Sequence, residues 1–74
     1  MKNLVVFIKQ RRKQLGLTQK AMSEKAGVGL RFVRDLEQGK ETLRMDKVNQ
    51  VLALFGHKLA PVESKKLDTD EQES

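Results

Sequence analysis

Cysteine, tryptophan and tyrosine are absent from this chain, and histidine and proline occur once each, at His57 and Pro61. Without cysteine there is no disulfide framework and no thiolate metal site, and such a composition fits a reducing cytoplasm. A single histidine, with no cysteine or tyrosine beside it, leaves no titratable pair for acid-base or nucleophilic chemistry, and the carboxylates are scattered over helix surfaces and the tail. No metal-ligand spacing appears, and no glycine-rich phosphate loop follows a strand. Long apolar runs are missing too. The longest, Leu4 to Ile8, is far short of a bilayer span and lacks a signal peptide's cleavage site. The expectation is a soluble, cytoplasmic protein that is not an enzyme, needs no cofactor or metal and does not use a membrane.

What is present is positive charge, unevenly laid out. The 74 residues carry a formal net charge of +5. From Met1 to Val62 there are 13 Lys and Arg against 5 Asp and Glu, and from Glu63 to Ser74 there are 2 against 5. A basic body attracts a polyanion, and nucleic acid is the commonest one in a cell. An anionic membrane is the competing polyanion, but no helix has an aromatic or leucine-rich face to spare for insertion. The organisation expected is one small domain over 1–62 and an acidic tail over 63–74, too poor in apolar groups to fold alone. So small a core is marginal by itself, which makes dimerisation a natural source of stability.

The stretch TQKAMSEKAGVGLRFVRDLEQG, Thr18 to Gly39, organises the rest. Thr18 suits an N-cap, and Ala21, Met22 and Ala26 follow at helical spacing until Gly27 stops the helix. Gly29 opens a second helix in which Leu30, Val33 and Leu36 recur every three residues, with Gly39 as its stop. Two helices of about two turns joined around a glycine make a helix-turn-helix corner. Before it, a helix from about Asn3 to Leu15 is expected, with Asn3 as N-cap, Gly16 as stop and Leu4, Ile8 and Leu15 on its stripe. Val5 and Phe7 widen that stripe, either as core or towards a dimer partner. After the corner, Met45 to Phe55 carries Val48, Val51, Leu52 and Phe55 at i, i+3, i+4 and i+7, with Gly56 as stop. His57 to Val62 alternates weakly, and Pro61 would confine any strand there to an edge.

These residues carry a resemblance. The string LTQ, a small residue at Ser23, Gly27-Val28, Val33 and then LE-Q-G resembles the XRE class of bacterial and phage regulators, and the likeness extends from Arg12 to Gly56. Within that class GVGLRFVRDLEQGK followed by LRMDKVNQVL is most similar to HipB-like antitoxins, partners of HipA-type kinase toxins. The resemblance implies an all-α, lambda-repressor-like domain of four to five short helices, with a short strand over 57–62 as a candidate dimer element. It also implies that Arg12 pairs with Glu37, that Gln19 hydrogen-bonds a phosphate, and that Lys40 lies in a loop along the sugar-phosphate backbone.

The helical step of about 100° per residue sets Gly29, Leu30, Arg31 and Arg34 on or beside the side of their helix opposite Val33 and Leu36, near the end presented to the major groove. Arg31 and Arg34 suit guanine, whose O6 and N7 can accept two bonds from one guanidinium, although one of them could hold phosphate instead. Leu30 could touch a thymine methyl or be a first core residue, and the resemblance favours the groove. Base readers are therefore expected at Leu30, Arg31 and Arg34, and backbone contacts at Thr18, Gln19, Gly29, Lys40 and Arg44. Thr42 could likewise contact the backbone or serve only as a cap. Asp35 could accept from cytosine or orient an arginine, Phe32 is expected at the core edge, and Arg11 is a phosphate contact or a plain exposed charge. The function expected is a dimeric repressor of a palindromic operator in double-stranded DNA, acting at the nucleoid, and the antitoxin and autoregulator of a HipA-like kinase. The alternatives are a regulator without a toxin, or an adaptor that does not read DNA.

Overall fold

In the computed structural model, which describes residues 2–61, four α-helices follow one another: α1 (Lys2–Gln14), α2 (Gln19–Ala26), α3 (Leu30–Glu37) and α4 (Met45–Ala53). No strand forms among the described residues. The expected all-α helix-turn-helix fold is therefore the observed one. The acidic tail at 63–74 and Val62 of the candidate strand lie outside the described residues.

Each helix contributes to one core. Ile8 of α1, Met22 of α2, Val33 and Leu36 of α3, and Val48, Val51 and Leu52 of α4 are all buried. Leu4, Phe7, Leu17, Ala26, Val28, Phe32, Leu43, Leu54, Phe55 and Leu59 pack around them in partial exposure. Phe32 thus sits at the core edge, as its spacing suggests. Ser23 is buried, and its hydroxyl donates to the Lys20 carbonyl at 2.7 Å, so a small side chain fills the contact side of α2 with its polar group satisfied.

The corner is built by local chemistry. The Thr18 hydroxyl accepts from the Ala21 amide at 3.0 Å, closing the first turn of α2. Gly27 ends that helix at φ +75°, the left-handed conformation in which a Cβ is costly, and the Val28 amide reaches back to the Ser23 carbonyl at 3.0 Å. Val28 is thereby turned onto the core.

Some sequence expectations are corrected. Asn3 is not an N-cap, because α1 already includes Lys2 and Asn3. Leu15 is not on the core stripe: α1 ends at Gln14, the chain reverses at Gly16 with φ +68°, and Leu15 is left 59% exposed. Leu17 packs in its place, where the resumed chain turns inward. The last helix stops at Ala53 rather than Phe55, with 54–56 forming a turn. Thr42 is not the cap of α4; Arg44 holds that position and makes no side-chain cap bond. Phe7 is occupied within the chain, edge-on to Phe55 at 6.2 Å and 4.7 Å from the His57 ring. Arg11 lies over the Phe7 ring, 5.3 Å from its centroid, a cation-π contact that the sequence did not suggest.

Candidate nucleic-acid interface

α3 has two sharply different sides. Val33, Leu36 and Glu37 are buried, whereas Arg31 and Arg34 are exposed and Leu30 and Asp35 lie between. Three residues apart, the two arginines differ by about 60° around the axis and by about 4.5 Å along it, so they form one outward pair. Leu30 is half-exposed and is not among the residues packed on the core, which leaves its side chain at the shoulder of this outward face. Gly29, the N-cap, is exposed, and a Cβ built on it meets nothing within 4 Å. The N-terminal end of α3 is therefore open to a large ligand.

Behind that face α3 is pinned by a buried ion pair. Arg12 donates from Nε to Glu37 Oε2 at 2.7 Å and from Nη2 to Oε1 at 3.0 Å, and its Nη1 reaches the Leu17 carbonyl at 3.0 Å. The Glu37 side chain is only 3% exposed, so both carboxylate oxygens depend on these donors. Gln19 adds a third: its Nε2 donates to Glu37 Oε1 at 3.1 Å. The first residue of α2 is thus tied to the last of α3. One Gln19 N–H and its carbonyl oxygen are left for any outside partner.

The flanking cations are held by carboxylates. Lys40 Nζ lies 3.7 Å from Asp35 Oδ2, the two bracketing the end of α3. Arg44 grips Asp46 with two bonds, Nε to Oδ1 at 3.1 Å and Nη2 to Oδ2 at 2.6 Å. Hydrogen bonding to Asp46, then its charge, raises the Arg44 guanidinium above its ordinary value, and the bond from Arg44 holds the Asp46 carboxyl below the usual aspartate range. The sequence does not mark Asp35 and Asp46 as partners of these cations. The signal was weak, because pairing at i, i+5 across a stop and at i, i+2 across a cap follows no helical period.

The structure thus groups Leu30, Arg31 and Arg34 on one face, Gly29 at its leading end, and Lys40 at its trailing end. Thr18 caps α2 with Gln19 next to it, and Arg44 stands apart at the start of α4. Among the described residues no group of His, Asp or Glu could hold a metal ion, and no helix is long and apolar enough to cross a membrane.

Comparison with known proteins decides the class. Residues 8–60 match the helix-turn-helix family model. The chain belongs to the helix-turn-helix family of DNA-binding regulators. Over 58 residues, 74% of this chain and 76% of the relative, this helix-turn-helix protein is 48% identical to the uncharacterized HTH-type transcriptional regulator y4mF of Sinorhizobium fredii. No solved structure matches it. The matched range of this helix-turn-helix protein takes in all of α2, α3 and α4 and begins within α1 at Ile8, so it contains both the pinned side and the open face of α3.

Proposed function

We propose that this helix-turn-helix protein is a sequence-specific repressor that acts in the cytoplasm, at the nucleoid, as a homodimer on a palindromic operator. The observation that carries the reading is the outward pair Arg31 and Arg34 on a helix whose opposite side is fixed by Val33, Leu36 and the Arg12–Glu37 bonds. A rigid helix with two planar donors at one face and an open N-terminus suits the major groove, where guanine presents two acceptors to one guanidinium. Leu30 adds an apolar contact for a thymine methyl. Thr18, Gln19, Gly29, Lys40 and Arg44 contact the sugar-phosphate backbone, and they set register without carrying sequence information.

The dimer follows from operator symmetry: one α3 spans a few base pairs, and two copies about 34 Å apart reach successive major grooves. Met45, Asn49, Leu59, Ala60 and Pro61 line an apolar hollow that supports a contact between copies. The finer assignment, an antitoxin that represses its own operon and neutralises a HipA-like kinase, is supported by the likeness of the α3 and α4 sequences to HipB-like antitoxins.

The test is binding of short duplexes under increasing salt. Affinity should fall steeply with a log-log slope of about −0.9 for each phosphate contacted. Arg34→Ala should cost roughly 1 to 3 kcal/mol on a selected operator and much less on random duplex. Equal losses on both would place Arg34 on phosphate, and a flat salt dependence would remove DNA binding altogether. A kinase reading frame beside the gene, together with co-purification of the two products, tests the antitoxin assignment.

A further inference from the structure

Two of the cations in the backbone-contact set already hold an anion. Asp35 sits against Lys40 and Asp46 is gripped by Arg44 through two parallel bonds, the geometry a guanidinium also makes with a phosphate. All four side chains keep substantial contact with solvent: Lys40 is 55% and Asp35 31% exposed, Arg44 66% and Asp46 61%. Pairs so exposed contribute little to holding a fold together. Their effect falls on the field that the surface presents to DNA.

We propose that Asp35 and Asp46 are built-in phosphate surrogates: they occupy Lys40 and Arg44 in the free protein, so these two cations add to DNA affinity only when docking is close enough to exchange carboxylate for phosphate. The inference rests on the DNA-binding reading above and adds a determinant of specificity to it. Arg31 and Arg34 have no ion-pair partner among the described residues and supply the long-range attraction. Lys40 and Arg44 are restrained, and the restraint weighs most on loosely held, non-cognate DNA, where the approach of phosphate is too poor to displace a carboxylate. A paired cation has already lost its own counter-charge to the protein, so its contribution to ion release on random duplex is cut accordingly.

The experiment compares Asp35→Asn and Asp46→Asn with Glu41→Gln in the full chain, each titrated with a random-sequence duplex across a range of salt. Glu41 is exposed and forms no ion pair among the described residues, so its substitution makes the same change in net charge, in the loop between α3 and α4, without releasing a cation. Asp46→Asn should tighten random-duplex binding about fivefold to tenfold at roughly 0.1 M salt and steepen the log-log slope by about one. Asp35→Asn should do the same to a smaller extent, because its ion pair is longer. Combined with Asp46→Asn, Arg44→Ala should cancel the gain on random duplex. If Glu41→Gln gives the same gain as the two aspartate variants, net charge alone explains the effect and the surrogate role is wrong. If the aspartate variants bind random duplex as the wild type does, it is wrong as well. Wild-type chain with no salt-dependent affinity for any duplex would instead remove the DNA-binding reading, a result told apart by the unmodified protein alone. Thermal melts of each variant show whether a changed affinity comes with a changed fold.

Discussion

Truncating Glu37 leaves the Arg12 guanidinium in a part-buried position with only the Leu17 carbonyl as a partner, and it also removes the acceptor for Gln19. Breaking a buried ion pair from one side typically costs about 3 to 5 kcal/mol, because the surviving charge stays desolvated. For a domain of this size that is a large fraction of the total stability. Glu37→Ala is therefore expected to lower the melting temperature by about 10 °C or more. Arg12→Ala should do at least as much, since it strands a carboxylate that is almost wholly enclosed. The double variant should fall well short of the sum, a non-additivity that thermal melts in a double-mutant cycle would register. Asp46 makes a different case. Its folded value is lowered by Arg44, so the Arg44–Asp46 contact is complete above the ordinary aspartate range and is lost as pH falls through the depressed value. A carboxyl titration followed by NMR should place the Asp46 midpoint below that of an unpaired aspartate, and Arg44→Ala should return it to the ordinary range.

At the scale of elements the junctions divide into those that need glycine for its backbone and those that the fold alone does not require to be glycine. At Gly27 a side chain would have room, the nearest atom to an added Cβ being Gln50 Nε2 at 3.7 Å, but φ is +75°. Gly27→Ala should cost about 1 to 2 kcal/mol through the left-handed backbone alone, measurable by denaturant titration. Gly29 is the opposite case, with an extended backbone and nothing near a Cβ. Gly29→Ser should supply the missing cap and raise stability by a few tenths of a kcal/mol, yet weaken duplex binding at the proposed backbone-phosphate contact. A variant that melts higher and binds worse would separate folding from interface at one position. These junctions were legible in the sequence because Thr18, Gly27, Gly29 and Gly39 carry their own conformational preferences, and α3 because Leu30, Val33 and Leu36 stand at one period. Leu15 and Leu17 were not legible: both are apolar, and which one enters the core depends on how far the chain has turned after Gln14. The bond from the Leu59 amide to Asn49 Oδ1 at 2.7 Å, which lays the C-terminal segment along α4, joins residues ten apart and leaves no periodic trace. The carboxylate partners of Lys40 and Arg44 were hidden for the same reason, since they follow cap and turn geometry rather than any repeat.

Among the described residues of the whole molecule, the core has seven buried apolar side chains. A core so small gives a modest margin of stability, and a fold in that position gains from any partner that binds only its native state. Met45 is 69% exposed and borders the hollow lined by Leu59, Ala60 and Pro61, so its side chain is largely left to solvent in the isolated fold and would add apolar area to the proposed contact between two copies. The proposed function makes a second copy the occupant, because the proposed operator with two half-sites would be matched by two identical α3 helices about one helical turn apart. The melting temperature should therefore rise with protein concentration. Met45→Lys should weaken self-association at least about tenfold in sedimentation experiments, since it puts a charge into an apolar contact at a cost of more than about 1.4 kcal/mol. The helical content of the dilute protein should stay unchanged. On DNA the same variant should lose affinity for a two-half-site duplex and keep its affinity for a single half-site. Sedimentation as a monomer at every concentration, with a footprint confined to one half-site, would show that each copy reads DNA alone and that the apolar hollow serves something else.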